Sequence, residues 1–373
     1  MNIAWYSYNP NPWKDCPMKM WVHHADIIEI LSREIDINIF TLIKPSNLSK
    51  IKRYENGDKS VIVDGYQNVK FNFMETEDAS YLDCIDACFL EVSRMCIFGI
   101  SDKNIRDSII TILVDKIKYL MNRNIPIIWY DGDGDLYIKK QSGENFNLYL
   151  YNVLDMKSYE KCTVIGPYEI GLSKKSDFVE INNFKFVPYN INFDKVYPNE
   201  IESSINRSYL STYFGNNFRR SNFVNKFNTI SNSECGTLRI YGKGWDKSKL
   251  DNKIELNNAI TLTIDEFINY YNESLIGIYG SFKKGYDIGH YTLRITEYLK
   301  AGIYIVPDDV PYLIDKFPSN NLTIKDFYSD NVKSKINFIK NNYINLVEIQ
   351  RKKLSWNFDS KNLYKIYKDA WEA

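Results

Sequence analysis

Twice along this chain, short apolar runs alternate with helix-length amphipathic segments, and that alternation limits the fold more than any other feature. In the first half, "NIAWYSY" (2–8), "INIFTL" (37–42), "DACFLEV" (86–92), "IPIIWYD" (125–131), "CTVIGP" (162–167) and "FKFVPYN" (184–190) read as strands, with "VIVDG" (61–65) a further short apolar run. "MKMWVHHADIIEILSRE" (18–34) turns Ile27, Ile28, Ile30 and Leu31 inward at helical spacing, and "NIRDSIITILVDKIKYLMNRN" (104–124) is a second helix. The pattern lapses in "PYNINFDKVYPNEIESSINRS" (188–208), which is polar and without a strong period. It then restarts with the strands "YLSTYFGN" (209–216), "LRIYGKG" (238–244), "LIGIYG" (275–280) and "IYIVP" (303–307). The helices "RRSNFVNKFNTI" (219–230), "TIDEFINYYNES" (263–274) and one opening after "GYDIGHY" lie between them. Strands alternating with helices predict parallel sheets with crossover connections. The expected fold is α/β, with an N-terminal domain over 1–190 and a C-terminal domain over 191–373 that ends in the amphipathic helix "NLYKIYKDAWEA". Two such domains facing each other leave a cleft at the carboxyl ends of their strands, where ligands bind.

Bulk composition narrows the partners. A chain of 373 residues that is 44% hydrophobic has enough apolar material for two cores. Lys+Arg and Asp+Glu both number 47, so no global field points to nucleic acid or membrane. The cysteines (Cys16, Cys84, Cys88, Cys96, Cys162, Cys235) are dispersed and the histidines are three, a pattern that fits core-filling thiols in a reducing compartment rather than a zinc site. The start, "MNIAWYSYNP", lacks the pattern of a signal peptide, and no apolar run reaches spanning length, so a cytoplasmic protein is expected. Abundant Asn, Ile, Lys and Tyr fit an AT-rich genome, such as that of a phage or low-GC bacterium.

Several stretches carry candidate chemistry. In "GYDIGHYTLRITEYLKAG" (285–302), a glycine-bearing loop runs into a short helix with Arg294 and Glu297 one turn apart on one face. A helix start favours phosphate. Arg294 can fork onto a diphosphate and Glu297 can accept from ribose hydroxyls. The bland alternative is an Arg294–Glu297 ion pair on a solvated surface. In "TYFGNNFRRSNF" (212–223), a strand ends at Gly215, and Arg219 and Arg220 open a helix, where cations are disfavoured unless an anion is bound. "IYGKGW" (240–245) repeats the strand-then-glycine design at Gly242.

"IIWYDGDGDLY" sets Asp131, Asp133 and Asp135 just past a strand, at the expected cleft edge. The spacing is not a calcium loop, because Leu136 and Ser142 stand where Gly and Glu are needed. Three roles stay open: carboxylates that hold Mg2+ or Mn2+ on a diphosphate, with Asp133 the candidate; Asp131 as a general base in a half-buried site; or a hydrated Asp-Gly turn. His23 and His24 sit at the start of the first long helix, also near the expected cleft, and His24 is a candidate catalytic group. The basic clusters "SKIKRYENGDKS", "SFKKG" and "QRKKL" read as solvated faces.

The stretches "YFGNNFRRSNFVNKF", "LRIYGKG", "LTIDEFI" and, most closely, "KGYDIGHYTLRITEYLKAGIYIV" resemble the DNA β-glucosyltransferases of T-even phages, enzymes of the GT-B type. The likeness is specific over 210–306; before that it is thinner, resting on the opening strand, "DINIFTL" and the strand ending at Asp131. It implies two Rossmann-like domains facing across a cleft, with the C-terminal helix crossing back. It also implies a UDP-sugar donor and, as acceptor, a hydroxymethylated pyrimidine in double-stranded phage DNA. Carried over by residue, Tyr286, Arg294 and Glu297 would bind diphosphate and ribose, Asn217 and Arg219 would line the phosphates, and Gly242 would lie beside the sugar nucleotide. Ile264 would meet the uracil through its backbone, and Asp131 would be the catalytic aspartate. Two departures stand out. Valine replaces the family's carboxylate near the first helix, beside His23 and His24, and Phe223 replaces its second phosphate-binding arginine, which leaves Arg220 as the substitute.

Overall fold

The computed structural model describes residues 1–6, 22–42, 60–62, 68–75, 77–91, 103–132, 134, 136, 146–169, 181, 183–189, 204–217, 222–257, 269–280, 289–308, 314, 317 and 322–373. The chain divides into two compact units, Met1–Asn190 with Ser360–Ala373, and Ile191–Asp359.

The first unit is built on one sheet of eight strands. These are β1 (Asn2–Tyr6), β2 (Ile37–Leu42), β3 (Ser60–Ile62), β4 (Val69–Met74), β5 (Ala87–Leu90), β6 (Ile127–Tyr130), β7 (Cys162–Gly166) and β8 (Phe184–Phe186), in the order β3-β4-β2-β1-β5-β6-β7-β8. Every pairing is parallel except β3 with β4. Helices α1 (Val22–Ser32), α2 (Lys103–Asn122) and α3 (Phe146–Val153) accompany it. All residues of β5, β6 and β7 are buried, as expected of parallel strands covered on both faces. Trp5 stacks on Phe89 at 3.9 Å, and Phe89 on Tyr130 at 6.1 Å, so aromatic rings tie β1, β5 and β6 together. Each such side chain contributes about 1.5–3 kcal/mol by leaving water.

The second unit holds β9 (Ser211–Phe214), α4 (Asn222–Asn232), β10 (Leu238–Tyr241), β11 (Glu255–Asn257), β12 (Ile276–Tyr279), α5 (Arg294–Lys300), β13 (Tyr304–Pro307), α6 (Val332–Asn341) and α7 (Tyr343–Phe358). Strands β11-β10-β9 form one parallel ladder and β12-β13 another. The Tyr209–Ser274 bridge, with Leu275 N–H to Tyr209 O and Ile276 N–H to Leu210 O at 2.9 Å each, joins β9 to β12. The order is then third, second, first, fourth, fifth strand, the doubly wound arrangement whose strand order reverses between the first and fourth strands. Ligands bind such sheets at that reversal, beyond the carboxyl ends of the strands. Here those ends are Phe214 of β9 and Tyr279 of β12.

Helix α5 follows the second of those ends. It closes as the sequence indicates: Gly302 takes φ +61°, Gly302 N–H reaches Leu299 O at 3.2 Å and Ile303 N–H reaches Tyr298 O at 3.1 Å. This glycine-terminated cap satisfies the last carbonyls and drops the chain into β13. Gly277 has a different reason to lack a side chain: a Cβ there would lie 2.7 Å from the Tyr298 ring, which seats α5 on β12.

The terminal helix α8 (Ser360–Glu372) returns to the first unit and packs against α1 and β6, with Tyr367 stacked on Phe89 at 6.2 Å. The expected α/β architecture and returning C-terminal helix are therefore present. Five elements were not singled out in the sequence, the short helix α3 among them. β4 and β11 have polar residues interleaved. α6 and α7 bury Val332, Ile336, Ile339, Leu346 and Val347 against the core of the second unit. No helix among the described residues is long and apolar enough to cross a membrane.

Candidate functional site

At the reversal point of the second sheet, two loops are stitched edge to edge. Gly215 N–H donates to Tyr241 O at 2.8 Å, Asn217 N–H to Lys243 O at 2.9 Å, and Lys243 N–H to Asn216 Oδ1 at 2.7 Å. The Trp245 indole donates to Gly215 O at 2.7 Å, and the Asn217 amide to Gly244 O at 3.1 Å. Gly242 has φ +153°, and a Cβ on it would sit 2.2 Å from Gly215 O. The close approach of two backbones, rather than a ligand, thus demands this glycine. Gly215 and Asn217 are partly exposed on the joined loops.

Arg294, the first residue of α5, points back at β9. It is 8% exposed, its guanidinium lies 4.2 Å from the centre of the Tyr213 ring, and Nη1 donates to Tyr213 Oη at 3.3 Å. Nη2 donates to the carbonyl of Phe214, the last residue of β9. Nε has no partner, and among the described residues no carboxylate forms an ion pair with this side chain. Burial opposes the charge, but the Tyr213, Tyr298 and Tyr271 hydroxyls and Glu297 outweigh it and hold the group above the ordinary arginine value. The solvated Arg294–Glu297 pair is thereby overturned. Glu297 is half-buried instead, and its Oε2 accepts from the Tyr271 hydroxyl at 3.0 Å. Tyr271 is fixed edge-on against Phe214 at 5.0 Å and Tyr298 at 5.1 Å, and burial, then Glu297, pushes its hydroxyl well above the usual range. Sequence reasoning missed Tyr213, Phe214 and Tyr271. The signal was the density of aromatics at 209–214 and 270–271 around one buried cation.

In the first unit, Asp131 follows β6 and is fully buried, not half-buried as the sequence suggested. Oδ2 accepts from Leu136 N–H at 3.0 Å and from the Tyr168 hydroxyl at 2.9 Å, while Oδ1 accepts from the Asn147 amide at 2.9 Å. The Leu136 bond brings the chain back to the carboxylate, and Gly134 takes φ +66°. Asp131 is therefore no part of a hydrated turn. It can hold a negative charge in place or take a proton.

His24 lies in α1, but its side chain is outside the described residues, as are Arg219, Arg220, Ile264, Tyr286 and Asp133 with its expected metal-binding role. Among the described residues no three His, Cys, Asp or Glu side chains gather as metal ligands.

Neither a protein-family model nor a curated protein sequence matches the chain. Solved structures do. T4 phage BGT in complex with UDP and Mn2+ is 14% identical, each chain covered over 100%, with a TM-score of 0.55. An alpha-glucosyltransferase in complex with UDP and a 13-mer DNA containing an HMU base is 10% identical, covered over 100% of this chain and 99% of that one, at 0.59. S. aureus TarM in complex with Fondaparinux, alpha-GlcNAc-glycerol and UDP is 8% identical over 100% of both chains, at 0.55. Taken with the two parallel sheets and the returning terminal helix, these full-length likenesses show that the chain has the GT-B fold.

Proposed function

We propose that this protein is a glycosyltransferase that takes its sugar from a UDP-sugar bound by the second unit. The carrying observation is Arg294: a permanently charged, buried guanidinium with an unused N–H and no paired carboxylate among the described residues, beside the carboxyl end of β9. A buried charge needs a counter-charge, and a diphosphate supplies one at the point where such sheets bind ligands. The solved structures with UDP in the same fold support this choice of anion.

In this reading Gly215, Asn217 and Gly242 shape the loops beside the diphosphate, joined by Arg219, Arg220 and Tyr286. Ile264 meets the base, and Glu297, oriented by Tyr271, accepts from the ribose. Asp131 takes the proton of an acceptor hydroxyl as its oxygen bonds to the anomeric carbon. The bond from that carbon to UDP breaks, and the electron pair leaves with the diphosphate. Arg294 and Arg219 stabilise the charge that builds there. His24 stands in for the missing acidic residue of the first helix, and Asp133 is the candidate for any Mg2+ or Mn2+ that accompanies the diphosphate.

The acceptor proposed is a hydroxymethylated pyrimidine in duplex DNA, flipped from the stack; the likeness to T4 phage BGT and to an alpha-glucosyltransferase bound to DNA containing an HMU base supports it. A second reading, transfer to a glycan or another hydroxyl acceptor, is favoured by formal neutrality and by the likeness to TarM, whose TM-score equals that of T4 phage BGT. Purified protein incubated with UDP-glucose and duplex DNA, with or without 5-hydroxymethylcytosine, tests both. Mass gain on modified DNA alone supports the first. UDP release without DNA gain supports the second. UDP that neither binds nor raises the melting temperature refutes the donor site.

A further inference from the structure

We infer that Tyr168 and Asn147, with Trp129 behind them, are positioning residues that fix the Asp131 carboxylate for proton transfer; this rests on the reading of Asp131 as the base. Three separate elements converge on one side chain. Trp129 and Asp131 are two apart at the end of β6 and so project to the same face. On that face α3 presents Asn147, 2% exposed, whose Oδ1 accepts from the Trp129 indole at 2.9 Å. Because the indole can only donate, the amide oxygen must face Trp129 and the NH2 must face Asp131 Oδ1. The orientation of Asn147 is thus dictated, and through it one oxygen of Asp131.

The other oxygen is held from the opposite side. Tyr168, fully buried after β7, stacks on Phe184 at 5.0 Å and donates to Asp131 Oδ2. Its ring lies where a side chain on Gly166 would be: a Cβ there would come within 2.4 Å of Tyr168 Cε1 and 2.9 Å of Asp131 O. Glycine at 166 is therefore what lets the tyrosine reach the carboxylate. An apolar side chain would fill this space without the cost of desolvating a charge. The fold instead places a tryptophan, an asparagine, a tyrosine and a glycine around one carboxylate. That is the arrangement expected where its orientation matters to the chemistry.

The test compares Tyr168→Phe, Asn147→Ala and Asp131→Asn with the parent protein. Turnover is read as UDP release from UDP-glucose, with hydroxymethylated duplex DNA and with water alone as acceptor. UDP affinity by calorimetry and the melting temperature serve as controls. Tyr168→Phe and Asn147→Ala are expected to lower kcat about 10- to 100-fold while the KM for UDP-glucose and the affinity for UDP hold. Loss of a donor to the carboxylate also moves the acid limb of the pH–rate profile to higher pH. Tyr168 is the titratable group that touches Asp131 in the described structure; α3 brings the neutral Asn147 amide, and β8 brings Phe184 against the Tyr168 ring. Unchanged kcat and an unmoved acid limb in Tyr168→Phe overturn the inference, as does a fall in kcat that only tracks lost UDP affinity and melting temperature. Full activity in Asp131→Asn removes the base itself, a distinct failure.

Discussion

Asp131 and Arg294 are both buried charges at the carboxyl ends of parallel strands, yet their surroundings are opposites. The aspartate of the first unit has donors on both oxygens. The arginine of the second unit rests on an aromatic ring, spends two N–H groups on neutral oxygens and keeps an unpartnered Nε. Among the described residues the aspartate has its donors, whereas the guanidinium has an unused N–H and no carboxylate partner. Polar groups left unpaired in a folded interior call for an explanation, so the incomplete site is the better marker of a ligand, and the completed one marks a group whose orientation is held.

The largest expected effect separates the two by function. Asp131→Asn should lower turnover about 10²- to 10⁴-fold, the usual worth of a general base, while calorimetry gives an unchanged UDP affinity. Arg294→Met should do the reverse at the binding step, weakening UDP about 100-fold, or roughly 2.7 kcal/mol. Arg294→Lys should not restore it, since an ammonium lacks the planar fork. If Asp131→Asn loses UDP and Arg294→Met keeps it, the assignment of roles is wrong.

Stability should divide them as well. Asp131→Ala leaves three donors without an acceptor at about 1–3 kcal/mol each, so its melting temperature should drop sharply. Arg294→Met exchanges a buried charge that has no carboxylate ion pair among the described residues for an apolar chain, and should melt no lower than the parent. A large destabilisation by Arg294→Met would mean that the guanidinium serves the fold and not a ligand. Gly242→Ala should fall between these, at about 1–3 kcal/mol, because its φ and the nearby Gly215 carbonyl both oppose a side chain. Urea unfolding measures it.

The smallest effect is expected at Tyr271→Phe. Removing the hydroxyl that orients Glu297 should weaken UDP only a few-fold, about 0.5–1.5 kcal/mol for one hydrogen bond. The same change should leave binding of inorganic pyrophosphate, which has no ribose, unaffected. Equal losses for both ligands would detach Glu297 from the sugar of the nucleotide.

Much of the architecture was legible in the chain because buried parallel strands are written as unbroken apolar runs, and the glycine after a short helix states where it stops. Gly302 does what its position announces. Short or mixed elements such as β11, "ELN", left no comparable signal, since three residues of alternating polarity also occur in loops. In the sites, the sequence offered residues but not their partners. Arg294 and Glu297 were visible as a pair one helical turn apart, and that spacing suits a surface ion pair as well as two separate ligands. Nothing local says that Tyr213, 81 residues earlier, will slide under the guanidinium.

The amino-acid sequence by itself determined two α/β units, the strand ends that carry their polar residues, and the glycines that punctuate them, because periodicity and backbone freedom are local properties. Only the tertiary structure decided which of those polar residues are satisfied. A hydrogen bond joins groups that are far apart along the chain, so the saturation of Asp131 by Asn147 and Tyr168, and an Arg294 without a carboxylate partner among the described residues, arise only when the strands are laid side by side.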